Sequence, residues 1–168
     1  MWATAEAVGA RSTQSASTRL WIPLGAGLFI IALTGSAVVV PQLRVLHVLQ
    51  ALIYVAVPIL AWRKSAWGLG AGITVAVFWN GLELFVTHNV QKGIVLFWAL
   101  LRTGQGRQFD TMMVPLGSIG HFILIAACIS SFLELDRPAR SWWKLIGGGV
   151  AVLAYFFLIV AIALPRAK

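Results

Sequence analysis

The chain has 168 residues, of which 60% are hydrophobic and 11% are charged. Soluble domains carry about 25% charged and about 45–50% apolar residues, so this composition excludes an ordinary soluble domain and indicates a protein whose solvent is the lipid bilayer. The net charge of +8 is spread over the ends of apolar runs and forms no basic patch, which argues against nucleic acid as a partner. The single cysteine, Cys128, provides neither a disulfide framework nor a thiolate metal site.

Residues 1–19 are rich in Ala, Ser and Thr and predict a disordered N-terminal tail. Residues 20–165 then predict a single transmembrane helical domain, in which five long apolar runs follow one another. Each run has close to the ~20 residues with which a helix crosses ~30 Å of hydrocarbon. The predicted fold is all-α, a bundle of about five transmembrane helices. The predicted spans are residues 20–40, 43–62, 66–87, 112–133 and 142–164.

A sixth apolar stretch, residues 94–101, is too short to span a bilayer. It lies between Lys92 and Arg102, so it predicts a short interfacial or re-entrant helix. Small residues at four-residue spacing on the third and fifth spans predict faces on which helices approach closely in lipid. These residues are Gly68, Gly72 and Ala76 on the third span, and Gly147 and Ala151 on the fifth.

The ends of the spans carry tryptophans and cations, as the edges of transmembrane helices do. Lys and Arg are almost equally numerous on the two predicted sides, so the positive-inside rule leaves the orientation open. We expect a multi-pass protein of a bacterial inner membrane, with an organellar membrane as the alternative.

Several polar side chains fall inside the predicted spans, where an ionisable group costs about 2.5–3.5 kcal/mol on insertion scales. On the second span His47, Gln50 and Tyr54 are spaced i, i+3 and i+7, which places them on one helix face. The third span adds Asn80 and Glu83, the fourth adds His121, and His88 follows the third span at the predicted membrane boundary.

Prolines at the predicted first turns give a scale of depth, because proline is favoured there. His47 follows Pro41 by six residues, and His121 follows Pro115 by six residues. At 1.5 Å per residue both histidines then lie roughly 9 Å below the same surface. Glu83 reaches this depth from the end of the third span. The sequence therefore predicts that these side chains converge on one layer of the bundle.

Such a cluster has a chemical and a structural interpretation. His47, His121 and Glu83 could ligate a transition metal, or the two imidazoles could hold haem iron, with Gln50, Asn80 and Tyr54 around them. The same groups could relay protons or bind the head of a quinone-like molecule. Alternatively, they only hydrogen-bond across helices, at about 0.6 kcal/mol per contact.

The function expected first is that of a non-catalytic subunit or scaffold of a membrane complex. The sequence holds no compact metal motif and no soluble domain, and its apolar faces suit packing against other membrane chains or a second copy. The alternatives are a membrane redox, metal-binding or haem-binding protein using the His/Glu cluster, and a small transporter or proton-path protein.

Overall fold

The computed structural model describes residues 16–104, 108–136 and 141–163. Of these residues 91% are helical, and they include no strand. The helices are α1 (Ala16–Val39), α2 (Arg44–Trp62), α3 (Ala66–Gly81), α4 (Asn89–Thr103), α5 (Phe109–Leu133) and α6 (Trp142–Ala163); a 3₁₀ turn (Pro41–Leu43) precedes α2 and a π-helix (Leu82–Val86) continues α3.

Five of these helices are long and apolar enough to cross a membrane, as predicted. The bounds differ from the prediction most at the starts of α1 and α5, and α5 begins at Phe109 rather than at residue 112. Helix α1 begins at Ala16, four residues before the predicted span, and residues 1–15 of the predicted tail lie outside the described part of the chain. The third span is divided between α3 and the π-helix.

The predicted short segment 94–101 lies within α4, a helix of 15 residues. At 1.5 Å per residue α4 is roughly 22 Å long, which is less than the hydrocarbon core of a bilayer. Its buried residues are Val90 and Gly93, and Gly93 lies against Thr111 and Pro115 of α5. Most of its other apolar residues are exposed. The interfacial position of this helix stays a prediction.

Helices α1 and α5 cross at Gly25 and Gly120. A Cβ on Gly25 would lie 2.7 Å from the Gly120 carbonyl oxygen, and a Cβ on Gly120 would lie 2.7 Å from the Gly25 oxygen. The two backbones can therefore approach this closely only because both residues lack a side chain. Near the other end of the same pair, Gly35 lies beside Met113 and Phe109, so α1 and α5 run antiparallel.

Helices α3 and α6 also meet through glycine, because Gly70 lies against the Leu145 carbonyl and Gly148 against the Trp67 carbonyl. Of the predicted small-residue faces, Gly68 and Gly72 pack against α2, and Gly147 lies against the Trp67 ring. The contacts made by α3 thus reach α2, α5 and α6. It is the central helix of the bundle.

This topology brings the end of α1, the start of α2, the π-helix and the start of α5 to one end of the bundle, which we call the distal end. At the distal end the π-helix is followed by His88, a non-glycine residue with φ +57°. The His88 Nδ1 lies 3.1 Å from the Leu84 carbonyl oxygen and donates to it. This tight turn sends the chain directly into α4.

Candidate functional site

A cavity of about 100 Å³ opens at the distal end between α1, α2, α3, the π-helix and α5. Along α5 it extends from Asp110 to His121, eleven residues or roughly 16 Å of helix. Polar side chains from four elements reach it, together with two aromatic rings. The polar residues are Ser36, His47, Glu83, Asp110, Ser118 and His121, and the aromatic ones are Phe29 and Trp79.

The inner end of the cavity, which we call its floor, is formed by His121 and the two residues that bond it. The Tyr54 hydroxyl lies 2.8 Å from His121 Nε2, and Asn80 Oδ1 lies 3.2 Å from His121 Nδ1. Because a carboxamide oxygen only accepts, the Nδ1–H donates to Asn80, and Nε2 accepts the proton of the Tyr54 hydroxyl. Three helices thereby fix a neutral imidazole in one tautomer.

Phe29 of α1 completes the floor. Its ring centroid lies 4.0 Å from that of His121 and 4.3 Å from that of Tyr54. The imidazole is only 2% exposed, so its ring is held by an aromatic contact as well as by its two hydrogen bonds. The His121 side chain therefore has a fixed position at the inner end of the cavity.

The outer part of the cavity carries His47, Glu83 and Asp110. Glu83 belongs to the π-helix, and its Oε2 accepts a hydrogen bond of 2.7 Å from the Thr87 hydroxyl. π-Helical turns are rare and are frequent at functional sites. Asp110 lies in the first turn of α5, where a negative charge is favoured by the helix dipole. Two carboxylates and one imidazole thus face the same small space.

Five buried polar atoms of α2 and α3, in the cavity lining or near it, have no hydrogen-bond partner among the described residues. They are Nδ1 of His47, both side-chain polar atoms of Gln50, Nε1 of Trp79 and Nδ2 of Asn80. Gln50 is 1% exposed and lies on the face of α2 that carries His47 and Tyr54. An unpaired buried polar group costs about 1–3 kcal/mol, so this many in one region points to polar molecules between the helices.

The structure brings together most of the predicted polar cluster. His121, Tyr54 and Asn80 are directly bonded, and His47, Glu83 and His121 line one cavity. Gln50 lies on the same face of α2 as His47 and Tyr54, without a side-chain partner. His88 is exposed at the turn before α4 and does not line the cavity. The functional role of these residues stays a prediction.

The predicted common depth of the two histidines is wrong. Helix α5 begins at Phe109, so His121 lies twelve residues, or roughly 18 Å, from its start. His47 lies only three residues after the start of α2 at Arg44. Pro115 is inside α5 rather than in its first turn, which removed the basis of the depth scale. The cluster therefore has an outer and an inner level joined by the cavity.

Sequence reasoning missed Asp110, Phe29, Trp79 and Ser36. Asp110 stands two residues before Met112, where the predicted fourth span began, and an acid beside the start of an apolar run is a usable sign of a first helical turn. The two aromatic residues and the serine carry no such sign, because they resemble the many other apolar and small residues of these spans.

The metal and haem interpretations of His47, His121 and Glu83 stay predictions. Among the described residues no group of three or more His, Cys, Asp and Glu side chains is placed to hold a metal ion. Both ring nitrogens of His121 are engaged by Tyr54 and Asn80. A cavity of 150 Å³ holds a benzene molecule, so the cavity of about 100 Å³ is smaller than a haem group.

In comparisons with protein-family models, with curated proteins and with solved structures, none matches this chain.

Proposed function

We propose that this chain is a multi-pass membrane protein that binds a small polar solute inside its helix bundle. The observation that carries the proposal is the cavity at the distal end, whose polar residues come from four elements and whose floor is the bonded His121. Polar side chains in a membrane span face the bundle interior or a water-filled space, and they mark sites of function. The five helices of spanning length support the membrane setting.

The arrangement favours binding over conduction. Towards the opposite end of the bundle most buried side chains are apolar, among them Val57, Leu69 and Leu124. Polar groups therefore line a pocket with one entrance. A solute that enters from the distal end meets His121 and goes no further in this conformation.

The test compares two buried serines of α5. Ser118 lines the cavity, whereas Ser131 is buried nearer the other end of the same helix and does not line it. In a background in which the native thiol is removed by Cys128→Ala, each serine is replaced by cysteine and the protein is reconstituted in liposomes. The rate of reaction with a small water-soluble thiol reagent is then measured.

We expect Ser118→Cys to react at least roughly tenfold faster than Ser131→Cys, because reaction needs a thiolate and hence access to water. Equal and slow reaction of both variants would overturn the proposal, since the cavity would then be closed to solutes. Equal and fast reaction would also overturn it, because the helix would then be open along its length.

A second candidate is the subunit or scaffold role, which is favoured by a groove on α2, α3 and α6. The groove has a volume of about 380 Å³, and Gly148 and Ala151 lie in its lining. Small residues of this kind let a helix of another chain approach closely in lipid. If a partner packs here, Ala151→Leu reduces the size of the complex seen after mild solubilisation, and Val150→Leu beside the groove does not. A monomer in both cases would contradict this role.

A further inference from the structure

We propose that the solute bound in the cavity is a small organic cation, an ammonium compound no larger than tetramethylammonium. This rests on the proposed function, because it names the chemical class that the same cavity accepts. Three properties of the wall carry it: its charge, its aromatic surface and its size.

The charge of the cavity comes from Glu83 and Asp110, which both line it. Two described cations near the distal end, Arg44 and Lys92, donate to backbone carbonyls. The Arg44 Nε donates to the Ala37 carbonyl at 3.0 Å, and the Lys92 ammonium donates to the Thr87 carbonyl at 3.0 Å. Both therefore stabilise the ends of helices, and a cation in the cavity would balance the negative charge of Glu83 and Asp110.

Other groups of the cavity wall are ones that a weakly hydrated cation prefers. Phe29 and Trp79 line the cavity, and aromatic rings attract organic cations through their quadrupole. The Nδ1 of His47 is buried without a hydrogen-bond partner among the described residues, and in the neutral ring it can accept from an N–H donor. Ammonium donors and methyl groups would thus both find partners in the same space.

The size of the cavity limits the cation. Benzene, with six non-hydrogen atoms, occupies a cavity of about 150 Å³. The volume of about 100 Å³ therefore holds about four such atoms, so tetramethylammonium, which has five, fills it with one methyl group at the open distal end. Larger amines and lipid head groups would have to remain partly outside.

The buried amide of Gln50 adds a polar group next to the cavity, although Gln50 is not part of the lining. Gln50 is almost completely buried, and neither its oxygen nor its nitrogen has a partner among the described residues. It follows His47 by one helical turn on the same face of α2. Water or another hydrogen-bonding molecule between the helices would satisfy this amide.

The experiment uses the Ser118→Cys protein in liposomes and an uncharged thiol reagent. The probes are tetramethylammonium and tert-butanol, which have the same number of non-hydrogen atoms and differ in charge. At ten times its dissociation constant, tetramethylammonium leaves about one-eleventh of the sites free, so labelling slows roughly tenfold. We expect tert-butanol at the same concentration to leave the rate unchanged.

Variants of the two carboxylates make the test specific. Glu83→Gln and Asp110→Asn, alone and together, should weaken the protection by tetramethylammonium, and Asp136→Asn at the opposite end should not. Fast labelling that tetramethylammonium does not slow, or that tert-butanol slows equally, would overturn the cation proposal while leaving the solute-binding function standing. Failure of Ser118→Cys to label at all would overturn both.

Discussion

The crossing of α1 and α5 offers the sharpest test of the packing. In Gly25→Ala the new Cβ would lie 2.7 Å from the Gly120 oxygen and 2.8 Å from the Leu124 nitrogen, whereas ordinary contacts begin at 3.4 Å. All these neighbours are backbone atoms of α5, so the two helices must separate by several tenths of an ångström. Overpacking of this kind costs about 1–3 kcal/mol.

Gly27→Ala is the matched control, because a Cβ at Gly27 meets nothing within 4 Å. Both substitutions gain the same helix propensity, at most about 1 kcal/mol. The difference in the free energy of unfolding between the two variants therefore isolates the overpacking, and we expect Gly25→Ala to be the less stable by about 1–3 kcal/mol. The assay is a dodecyl sulfate titration of each purified variant, followed by circular dichroism. Stabilities that agree within about 0.5 kcal/mol would refute the crossing described here.

Two further predictions concern buried side chains. Tyr54→Phe leaves the buried Nε2 of His121 without its donor, and we expect the free energy of unfolding to fall by about 1–3 kcal/mol in the same titration. Tyr155→Phe removes a half-buried bond to the Leu49 carbonyl and should lower the free energy of unfolding by less. A larger loss in Tyr155→Phe than in Tyr54→Phe would contradict the bonded floor of the cavity. The thiol of Cys128 is fully buried, so in the native protein it should react with thiol reagents only after unfolding by dodecyl sulfate. Rapid reaction of the folded wild-type protein would contradict the burial of Cys128 described here.

The helical architecture was predictable because the sequence contains five apolar runs that are long enough to span a membrane. Which helices pack against one another was not predictable. Gly25 and Gly120 look like ordinary glycines within their runs, and only the three-dimensional arrangement shows that each lies against the other's backbone. Hydropathy also misses the polar first turn of a helix. Asp110 was therefore left outside the predicted span 112–133, although it lies in the first turn of α5.

The candidate site was predictable in part, because the spacing of polar residues shows which face of a helix they share. The i, i+3 and i+7 spacing correctly placed His47, Gln50 and Tyr54 on the inward face of α2, and the bonds of His121 to Tyr54 and Asn80 confirm that the polar faces of three spans meet. The positions of these residues along the bundle axis could not be predicted. They depend on the exact helix bounds and on the π-helix that carries Glu83, and local sequence patterns reveal neither.

The most direct test of the whole account is the side from which Ser118→Cys reacts. A membrane-impermeant thiol reagent is added to intact cells and, separately, to inverted membrane vesicles, using variants that lack Cys128. Gln42→Cys marks the distal end of the bundle, and Arg63→Cys marks the opposite end of α2, because both residues are exposed. The account predicts that Ser118→Cys and Gln42→Cys react in one preparation and Arg63→Cys in the other. Labelling of Ser118→Cys from the side of Arg63→Cys, or of Gln42→Cys and Arg63→Cys from the same side, would contradict it.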